Sequence, residues 1–255
     1  MLLNYKQFGQ GDPLIILHGL FGTLDNWQTL AKRFAEEHTV FIIDQRNHGK
    51  SPHTLEHSYT LMAEDLREFM EAQFMFKAHI LGHSMGGKTV MQFALLYPDM
   101  VDKLTVVDIS PRANTGGHEL IFKALFDLDL DKIESRKEAD AALSVLIKEV
   151  GVRQFLLKNL TRKKEGGYRW KMNLEALFNH YSDILAAVES EDTFAGETLF
   201  IRGGKSDYVP DEDLPLIKKY FPRARLETVA QAGHWVHAAQ PDELFDLVTG
   251  FLKND

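Results

Sequence analysis

Cysteine is absent from this chain of 255 residues. Without thiols the protein forms neither disulfides nor thiolate metal sites, so the cross-linked framework of small secreted domains is excluded. The first residues, Met-Leu-Leu-Asn-Tyr-Lys-Gln, also lack the basic start and the apolar run of a secretory signal peptide. Both absences predict a cytoplasmic protein.

Long apolar runs are missing as well. The longest, such as 14–17 and 40–43, are far shorter than the roughly 18 residues that a membrane-spanning helix needs. Basic residues are in the minority, since 37 Asp and Glu outnumber 29 Lys and Arg and give a net charge of -8. Such a charge repels phosphate backbones and anionic lipid headgroups. We therefore expect neither a nucleic acid nor a membrane as the partner.

The chain has the composition of an ordinary globular protein, with 44% hydrophobic and 26% charged residues. Short β-rich runs alternate with stretches of 3.6-residue periodicity, and each run has the length of one strand. The runs cover residues 14–17, 40–43, 79–81, 104–109, 198–201 and 225–229. Because parallel strands need crossover connections, this alternation predicts an α/β protein with a mostly parallel sheet and helices on both faces.

The alternation breaks between Ser110 and Ala195. Helical patterns fill this segment at 120–128, 139–150 and 174–188, with no convincing long strand. We interpret the segment as an insertion. The predicted organisation is a core of residues 1–110 and 196–255 with an inserted helical cap of residues 111–195.

One motif between a predicted strand and a predicted helix has the spacing of a catalytic nucleophile. Residues 82–87 read Gly-His-Ser-Met-Gly-Gly, which fits the G-x-S-x-G pattern of a nucleophile elbow. The turn is so tight that the residues two before and two after Ser84 need to lack a side chain, and both are glycine. Ser84 is therefore the candidate nucleophile, and the Met85 N–H at the helix start is a candidate oxyanion donor.

The same stretch also fits a phosphate-binding loop. Residues 82–89 read G-H-S-M-G-G-K-T, which matches G-x-x-x-x-G-K-[ST]. Asp108, at the end of the next predicted strand, would then stand where the acidic magnesium ligand is expected. The rest of the chain distinguishes a nucleophile elbow from a phosphate-binding loop, because a hydrolase needs an acid, a base and a second oxyanion donor in a set order along the chain.

The candidate base is His234, in Gln-Ala-Gly-His-Trp just after the last predicted strand. A loop at a strand end is where such folds place their sites, whereas we interpret His237 as a packing residue. The second oxyanion donor is expected in the glycine-bearing turn after the first parallel strand. There the Leu20 N–H is our candidate.

Two aspartates compete for the role of triad acid. Asp108 ends one predicted strand, and Asp207 follows the strand at 198–201, which is the usual location of the acid in this fold. Either carboxylate could orient His234 and support its charged form. The residues alone leave both candidates open.

A zinc pattern is present but isolated. His53-Thr-Leu-Glu-His57 fits H-x-x-E-H, yet it follows Pro52 in an irregular stretch, and no obvious third ligand stands near it. We therefore expect no metal, and the chemistry predicted for Ser84 requires no cofactor.

Five segments together resemble the bacterial YbfF-type esterases. They are residues 18–22, 44–51, 82–88, 107–111 and 233–237, and they extend from end to end of the chain. Two of them, Asp-Gln-Arg-Asn-His-Gly and Gly-His-Trp-Val-His, are far more specific than G-x-S-x-G, and residues 169–173 resemble the same family. The resemblance implies an α/β-hydrolase fold and a small esterase acting on short acyl esters or thioesters. Members keep the aspartate matching Asp108 and often lack one matching Asp207, which favours Asp108, although this sequence has both.

The expected reaction is acyl transfer to water through an acyl-enzyme on Ser84, with a small-molecule ester of short to medium acyl length as substrate. A serine at this position disfavours haloalkane dehalogenase and epoxide hydrolase chemistry. Acyl-CoA thioesterase and carbon–carbon bond hydrolase activities use the same triad and stay open. A nucleotide-binding protein and a non-catalytic ligand receptor are the hypotheses from other classes.

Overall fold

The computed structural model describes residues 1–253 of the chain. Its strands are β1 (Tyr5–Phe8), β2 (Asp12–Leu17), β3 (His38–Ile43), β4 (Ala78–His83), β5 (Val101–Val107), β6 (Leu160–Arg162), β7 (Tyr168–Trp170), β8 (Glu197–Gly203) and β9 (Ala224–Val229). Its helices are α1 (Gln28–Phe34), α2 (Tyr59–Ala72), α3 (Met85–Leu96), α4 (Glu119–Asp127), α5 (Arg136–Leu143), α6 (Val150–Leu157), α7 (Leu174–Asn179), α8 (Tyr181–Leu185), α9 (Leu214–Tyr220), α10 (Val236–Ala239) and α11 (Pro241–Lys253). No helix in this range has the length and apolar character needed to cross a membrane.

Seven of the described strands form one sheet in the order β1-β3-β2-β4-β5-β8-β9. Strand β1 pairs antiparallel with β3, and every other pair in this sheet is parallel. All residues of β4 are buried, as expected for a central strand that is covered on both faces. The mostly parallel sheet predicted from the sequence is confirmed. Strand β1 escaped that prediction because its residues Tyr-Lys-Gln-Phe are largely exposed and carry no buried apolar run.

Helices cover both faces of the sheet. Helices α2, α3 and α9 bury apolar side chains such as Leu66, Phe93 and Ile217 in one core cluster. Helices α1 and α11 bury side chains such as Leu30 and Val248 in a second cluster. Packing on both faces fixes the strand ends, and with them the first residues of the loops that follow.

Residues between β5 and β8 carry α4 to α8 and the antiparallel hairpin of β6 and β7. Their apolar side chains form a third cluster together with residues from the loops after β2 and β4, among them Leu20 and Met85. The segment therefore lies against the carboxyl ends of the parallel strands, which is where sites form in this class of sheet.

This segment differs from its sequence pattern in three places. The predicted helix at 174–188 is the two short helices α7 and α8. The predicted helix at 139–150 is two helices, because α5 ends at Leu143 and α6 begins at Val150. Lys148 Nζ donates to the carbonyls of Ser144 and Val145 at 3.1 and 2.8 Å, and so pairs groups that a continued helix would have paired. Strands β6 and β7 are 3 residues each, too short to give an alternating signal.

Candidate active site

Ser84 occupies a one-residue turn between β4 and α3. Its backbone angles, φ 54° and ψ -121°, lie in a region that non-glycine residues rarely adopt. The neighbouring glycines make this turn possible. A Cβ on Gly82 would lie 2.2 Å from the Gly86 carbonyl oxygen, and a Cβ on Gly86 would lie 2.5 Å from the His18 carbonyl oxygen. The predicted elbow geometry therefore requires the two glycines that flank Ser84.

His234 comes from the loop between β9 and α10 and faces the serine. Its Nε2 lies 3.0 Å from Ser84 Oγ. Two contacts fix the position of the ring: His83 Nε2 donates to the His234 carbonyl at 2.8 Å, and the Tyr208 ring stacks on the imidazole at 4.0 Å between centroids. The base predicted from the sequence is thus within hydrogen-bond distance of the predicted nucleophile.

Asp108 stands behind the histidine, directly after β5. Its side chain is fully buried, and its Oδ2 lies 2.8 Å from His234 Nδ1. Two further donors reach the same carboxylate: the Gly203 N–H at 2.8 Å on Oδ1 and the Ser206 hydroxyl at 2.5 Å on Oδ2. A carboxylate facing Nδ1 places the imidazole proton on that nitrogen, which leaves Nε2 free to accept the serine proton.

Asp207 lies apart from this arrangement. It is exposed, and its backbone carbonyl accepts a hydrogen bond from Arg112 Nη2 at 3.0 Å. The turn after β8 is closed by a 3.1 Å hydrogen bond from the Ser206 N–H to the Gly203 carbonyl, and it is the side chain of Ser206 that reaches Asp108. Of the two sequence candidates, the structure brings Asp108 to His234 and leaves Asp207 on the surface.

The turn after β2 brings backbone N–H groups to the serine. It is closed by a 2.9 Å hydrogen bond from the Gly22 N–H to the Gly19 carbonyl, and a Cβ on Gly19 would lie 3.1 Å from Ser84 Cβ. Within residues 1–253 the Leu20 N–H donates no hydrogen bond, so it is available to a substrate. The Met85 N–H belongs to the first turn of α3, where a helix leaves its N–H groups unpaired. The two predicted oxyanion donors therefore lie beside the same serine.

Gln45 supports this turn, and the sequence pattern alone did not reveal its role. Gln45 Nε2 donates to the His18 carbonyl at 2.6 Å, and its backbone N–H donates to His18 Nε2 at 3.1 Å. The adjacent Asp44 carboxylate accepts the Leu24 N–H at 2.8 Å. The Asp-Gln-Arg-Asn-His-Gly stretch thus holds the strand end and the turn that carry Leu20.

Two cavities meet at Ser84. The larger, of about 210 Å³, extends along His234 and Trp235. The smaller, of about 30 Å³, extends along Met85 and Lys88. A substrate whose carbonyl lies at Ser84 therefore has a large cavity for one of its two substituents and a small cavity for the other.

The larger cavity is lined by imidazoles that are neutral near pH 7. Burial lowers the pKa of His118 to about 4 and that of His237 to about 3, and it holds the pKa of His83 well below its ordinary value. The charge that His234 can carry lowers each of these pKa values further. His237 also stacks on Trp27 at 4.7 Å between ring centroids. The cavity wall formed by these three histidines is therefore uncharged around His234.

The zinc pattern and the phosphate-loop pattern seen in the sequence do not form the sites that they would predict. His57 is buried with its Nδ1 3.4 Å from Asn47 Nδ2, whereas His53 is exposed with its Nε2 3.1 Å from the Lys171 carbonyl. Among residues 1–253, no group of three or more His, Asp or Glu side chains is arranged to hold a metal ion. In the phosphate-loop pattern, residues 82–83 belong to β4 and residues 85–89 to α3, so Ser84 alone separates strand from helix.

A family model described as alpha/beta hydrolase fold matches residues 12–241. This protein belongs to that family. Within it, the chain is similar to esterase YbfF of Escherichia coli (strain K12), with 37% identity over 243 residues that cover 95% of this chain and 93% of the relative. The resemblance seen in the sequence motifs is confirmed by this similarity.

Two other members of the α/β-hydrolase family place this chain among esterases and lipases. The sn-1-specific diacylglycerol lipase ABHD11 of Mus musculus is 40% identical over 247 residues, which cover 94% of this chain and 80% of the relative. A solved structure described as a marine microorganism esterase superposes with a TM-score of 0.96 at 44% identity and covers 98% of each chain. The protein is therefore an enzyme of the esterase and lipase type.

Proposed function

We propose that this enzyme is a carboxylic-ester hydrolase that works through an acyl-enzyme on Ser84, with His234 as general base and Asp108 as triad acid. The observation that carries the proposal is one continuous chain of contacts. Ser84 Oγ lies 3.0 Å from His234 Nε2, and His234 Nδ1 lies 2.8 Å from Asp108 Oδ2. This order of groups is the one that turns a weakly acidic hydroxyl into a nucleophile.

In the first half of the reaction, His234 Nε2 takes the proton of Ser84 while Oγ attacks the ester carbonyl carbon. Asp108 keeps the Nδ1 proton in place and stabilises the imidazolium that forms. The same Nε2 proton then passes to the leaving alcohol. In the second half His234 removes a proton from water as the water oxygen attacks the acyl carbon. The bond from that carbon to Oγ then breaks, the acid leaves, and His234 returns the proton to Ser84 Oγ.

Negative charge on the carbonyl oxygen is stabilised by the N–H groups of Leu20 and Met85 in this proposal. Both residues line the smaller cavity together with Ser84. The loss of one such donor costs about 3 to 4 kcal/mol of transition-state stabilisation in a well-studied serine protease. The arrangement around Gln45 therefore matters for catalysis, because it positions the strand end and turn that carry Leu20.

We assign substrate selection to a cap formed by residues 111–195 over a core of residues 1–110 and 196–255. Side chains of this segment, including His118 and Phe155, line the larger cavity beside the triad. The confined cavity of about 30 Å³ supports a preference for the shorter acyl groups. Thioesters undergo the same acyl transfer and belong in the same substrate screen, as do the substrates of carbon–carbon bond hydrolases.

The test is a panel of 4-nitrophenyl esters and acyl-CoA thioesters with acyl groups from acetyl to lauroyl. We expect turnover with short and medium acyl esters, and Ser84→Ala should lose it while keeping the circular dichroism spectrum of the wild type. Ser182→Ala, which removes an exposed hydroxyl in α8, is the matched control and should keep full activity. More than about 1% residual turnover in Ser84→Ala would rule out this serine as the nucleophile.

A further inference from the structure

Lys88 is a buried lysine close to the nucleophile. It lies one helical turn after Ser84 in α3, it is 1% exposed, and it lines the smaller cavity together with Ser84 and Met85. Lysine side chains are rarely buried to this degree without an acidic partner. Its surroundings therefore indicate what the cavity accepts.

The partners of Lys88 leave its charge uncompensated. Nζ donates to the backbone carbonyls of Leu185 and Ala186 at 3.3 and 2.5 Å, and it lies 5.9 Å from the centre of the Tyr59 ring. Within residues 1–253 no carboxylate lies within 4.0 Å of Nζ. An ammonium group has three donors, so one donor remains after the two carbonyls. Burial, assisted by the nearby Arg112 cation, lowers the pKa of Lys88 to about 7, and an anion in the cavity would restore the protonated form.

The direction of proton transfer assigns the two cavities to the two halves of an ester. The leaving alcohol has to receive its proton from His234 Nε2, so the alcohol lies on the side of the larger cavity, which His234 lines. The smaller cavity lies along Met85, whose N–H we propose as an oxyanion donor, and Lys88 also lines it. The acyl chain beyond the carbonyl carbon is therefore directed into the cavity that Lys88 lines.

We infer that Lys88 binds a carboxylate at the end of a short acyl chain, which makes half-esters of short dicarboxylic acids preferred substrates. The inference rests on the proposed ester hydrolysis at Ser84. A cavity of about 30 Å³ has room for two or three water-sized groups, which admits a small charged group close to the carbonyl carbon and excludes a long acyl chain. The carboxylate would take the free donor of Lys88 and supply the opposite charge that the buried ammonium lacks.

Lys88 also has a structural contact that a test has to separate from recognition. Its two carbonyl acceptors lie at the end of α8, and the Tyr59 hydroxyl donates to the adjacent Ile184 carbonyl at 2.6 Å. Loss of this contact alone would disturb the cap and lower activity on every ester. Loss of carboxylate recognition would lower activity on charged acyl groups only.

The experiment compares two benzyl esters whose acyl groups have the same shape. Monobenzyl malonate carries the carboxylate, benzyl isovalerate replaces it with two methyl groups, and benzyl alcohol release is followed by chromatography. We expect wild-type kcat/KM to be higher for the malonate half-ester. Lys88→Met should lower that preference by about 10-fold to 100-fold, because it removes one charged hydrogen bond. Lys88→Arg should keep part of the preference, and Lys132→Met, which removes an exposed lysine, should keep all of it.

The outcomes distinguish a failure of the Lys88 inference from a failure of the proposed ester hydrolysis. If the wild type hydrolyses benzyl isovalerate faster than the half-ester, the inference is overturned while ester hydrolysis stands, and this needs no variant to fold. If Lys88→Met loses the same factor on both esters, Lys88 only positions the cap and the inference is again overturned. If the wild type cleaves neither these esters nor the 4-nitrophenyl panel, the proposed function itself fails.

Discussion

The Asp108 carboxylate has three donors around it. It accepts the Gly203 N–H and the Ser206 hydroxyl as well as His234 Nδ1, and its backbone φ of 51° lies in the left-handed region. With these contacts around it, the carboxylate can orient the imidazole without moving. We therefore expect Asp108 to contribute to kcat and the exposed Asp207 to make no contribution.

Replacement of the two aspartates by asparagine separates them. Asp108→Asn should lower kcat by as much as about 10⁴, the loss seen when the triad acid of a serine protease becomes an amide. Asp207→Asn should leave kcat close to the wild-type value, and it serves as the control. The opposite ranking would give Asp207 the role, and equal modest losses would show that either carboxylate can support the imidazolium.

The sequence could place Ser84 and His234 because each lies in a local pattern, a glycine-flanked turn or a short motif after the last strand. It could not choose between Asp108 and Asp207. That choice depends on how the chain turns between Gly203 and Ser206, which brings the Ser206 side chain to Asp108 and leaves the Asp207 side chain exposed. A turn of this kind follows from packing against β9 and its loop, and no residue spacing encodes it.

At the scale of elements, the connection from β4 through Ser84 to α3 tolerates little change. Gly82→Ala would place a Cβ 2.2 Å from a backbone oxygen of Gly86, and neither atom belongs to a flexible side chain. We expect a loss of roughly 1 to 3 kcal/mol in the free energy of unfolding and a lower kcat, measured by urea denaturation and ester hydrolysis.

A glycine elsewhere provides the control for this change. In α11, a Cβ on Gly250 would meet no atom of residues 1–253 within 4 Å, so Gly250→Ala should raise the free energy of unfolding by up to about 1 kcal/mol through helix propensity. If Gly82→Ala were as stable and as active as the wild type, the close approach at the elbow would have no energetic consequence.

Elements buried on both faces were the ones that the sequence predicted well. Most of the parallel strands contain apolar runs, which can be recognised in any window, whereas β1 is exposed and β6 and β7 are 3 residues each. The break between α5 and α6 depends on Lys148 and on Arg153, whose Nη1 donates to the Ile147 carbonyl at 3.0 Å. Hydrogen bonds from side chains to backbone carbonyls do not change the hydrophobic periodicity of the sequence, so the pattern could not reveal this break.

At the scale of the whole molecule, burial of neutral histidines makes the fold sensitive to acid. Burial, together with the Arg46 cation, lowers the pKa of His57 to about 3, and burial holds the pKa of His48 well below its ordinary value. In the unfolded chain a histidine accepts its proton near pH 6.5. The stability from each such group is therefore complete above about pH 6.5 and is lost as the pH falls toward the folded value, by about 1.4 kcal/mol per pH unit.

Urea unfolding at pH 7, 6 and 5 measures this dependence. We expect the free energy of unfolding to fall with pH, and His57→Gln should make the fall shallower, because it removes one group that takes up a proton only on unfolding. Ser182→Ala changes an exposed residue that does not titrate and should leave the slope unchanged. Equal slopes in both variants and the wild type would show that His57 stays unprotonated in the unfolded chain too, or protonates without unfolding.

The central claim is that Ser84 is an activated nucleophile, and covalent labelling with a fluorophosphonate tests it most directly. The reagent transfers its phosphonyl group only to a hydroxyl that a neighbouring base can deprotonate. We predict one adduct per molecule by intact mass, located by peptide mapping on Ser84, absent in Ser84→Ala and slower to form in Asp108→Asn. A folded wild-type protein that forms no adduct, or forms it on another residue, would contradict the account.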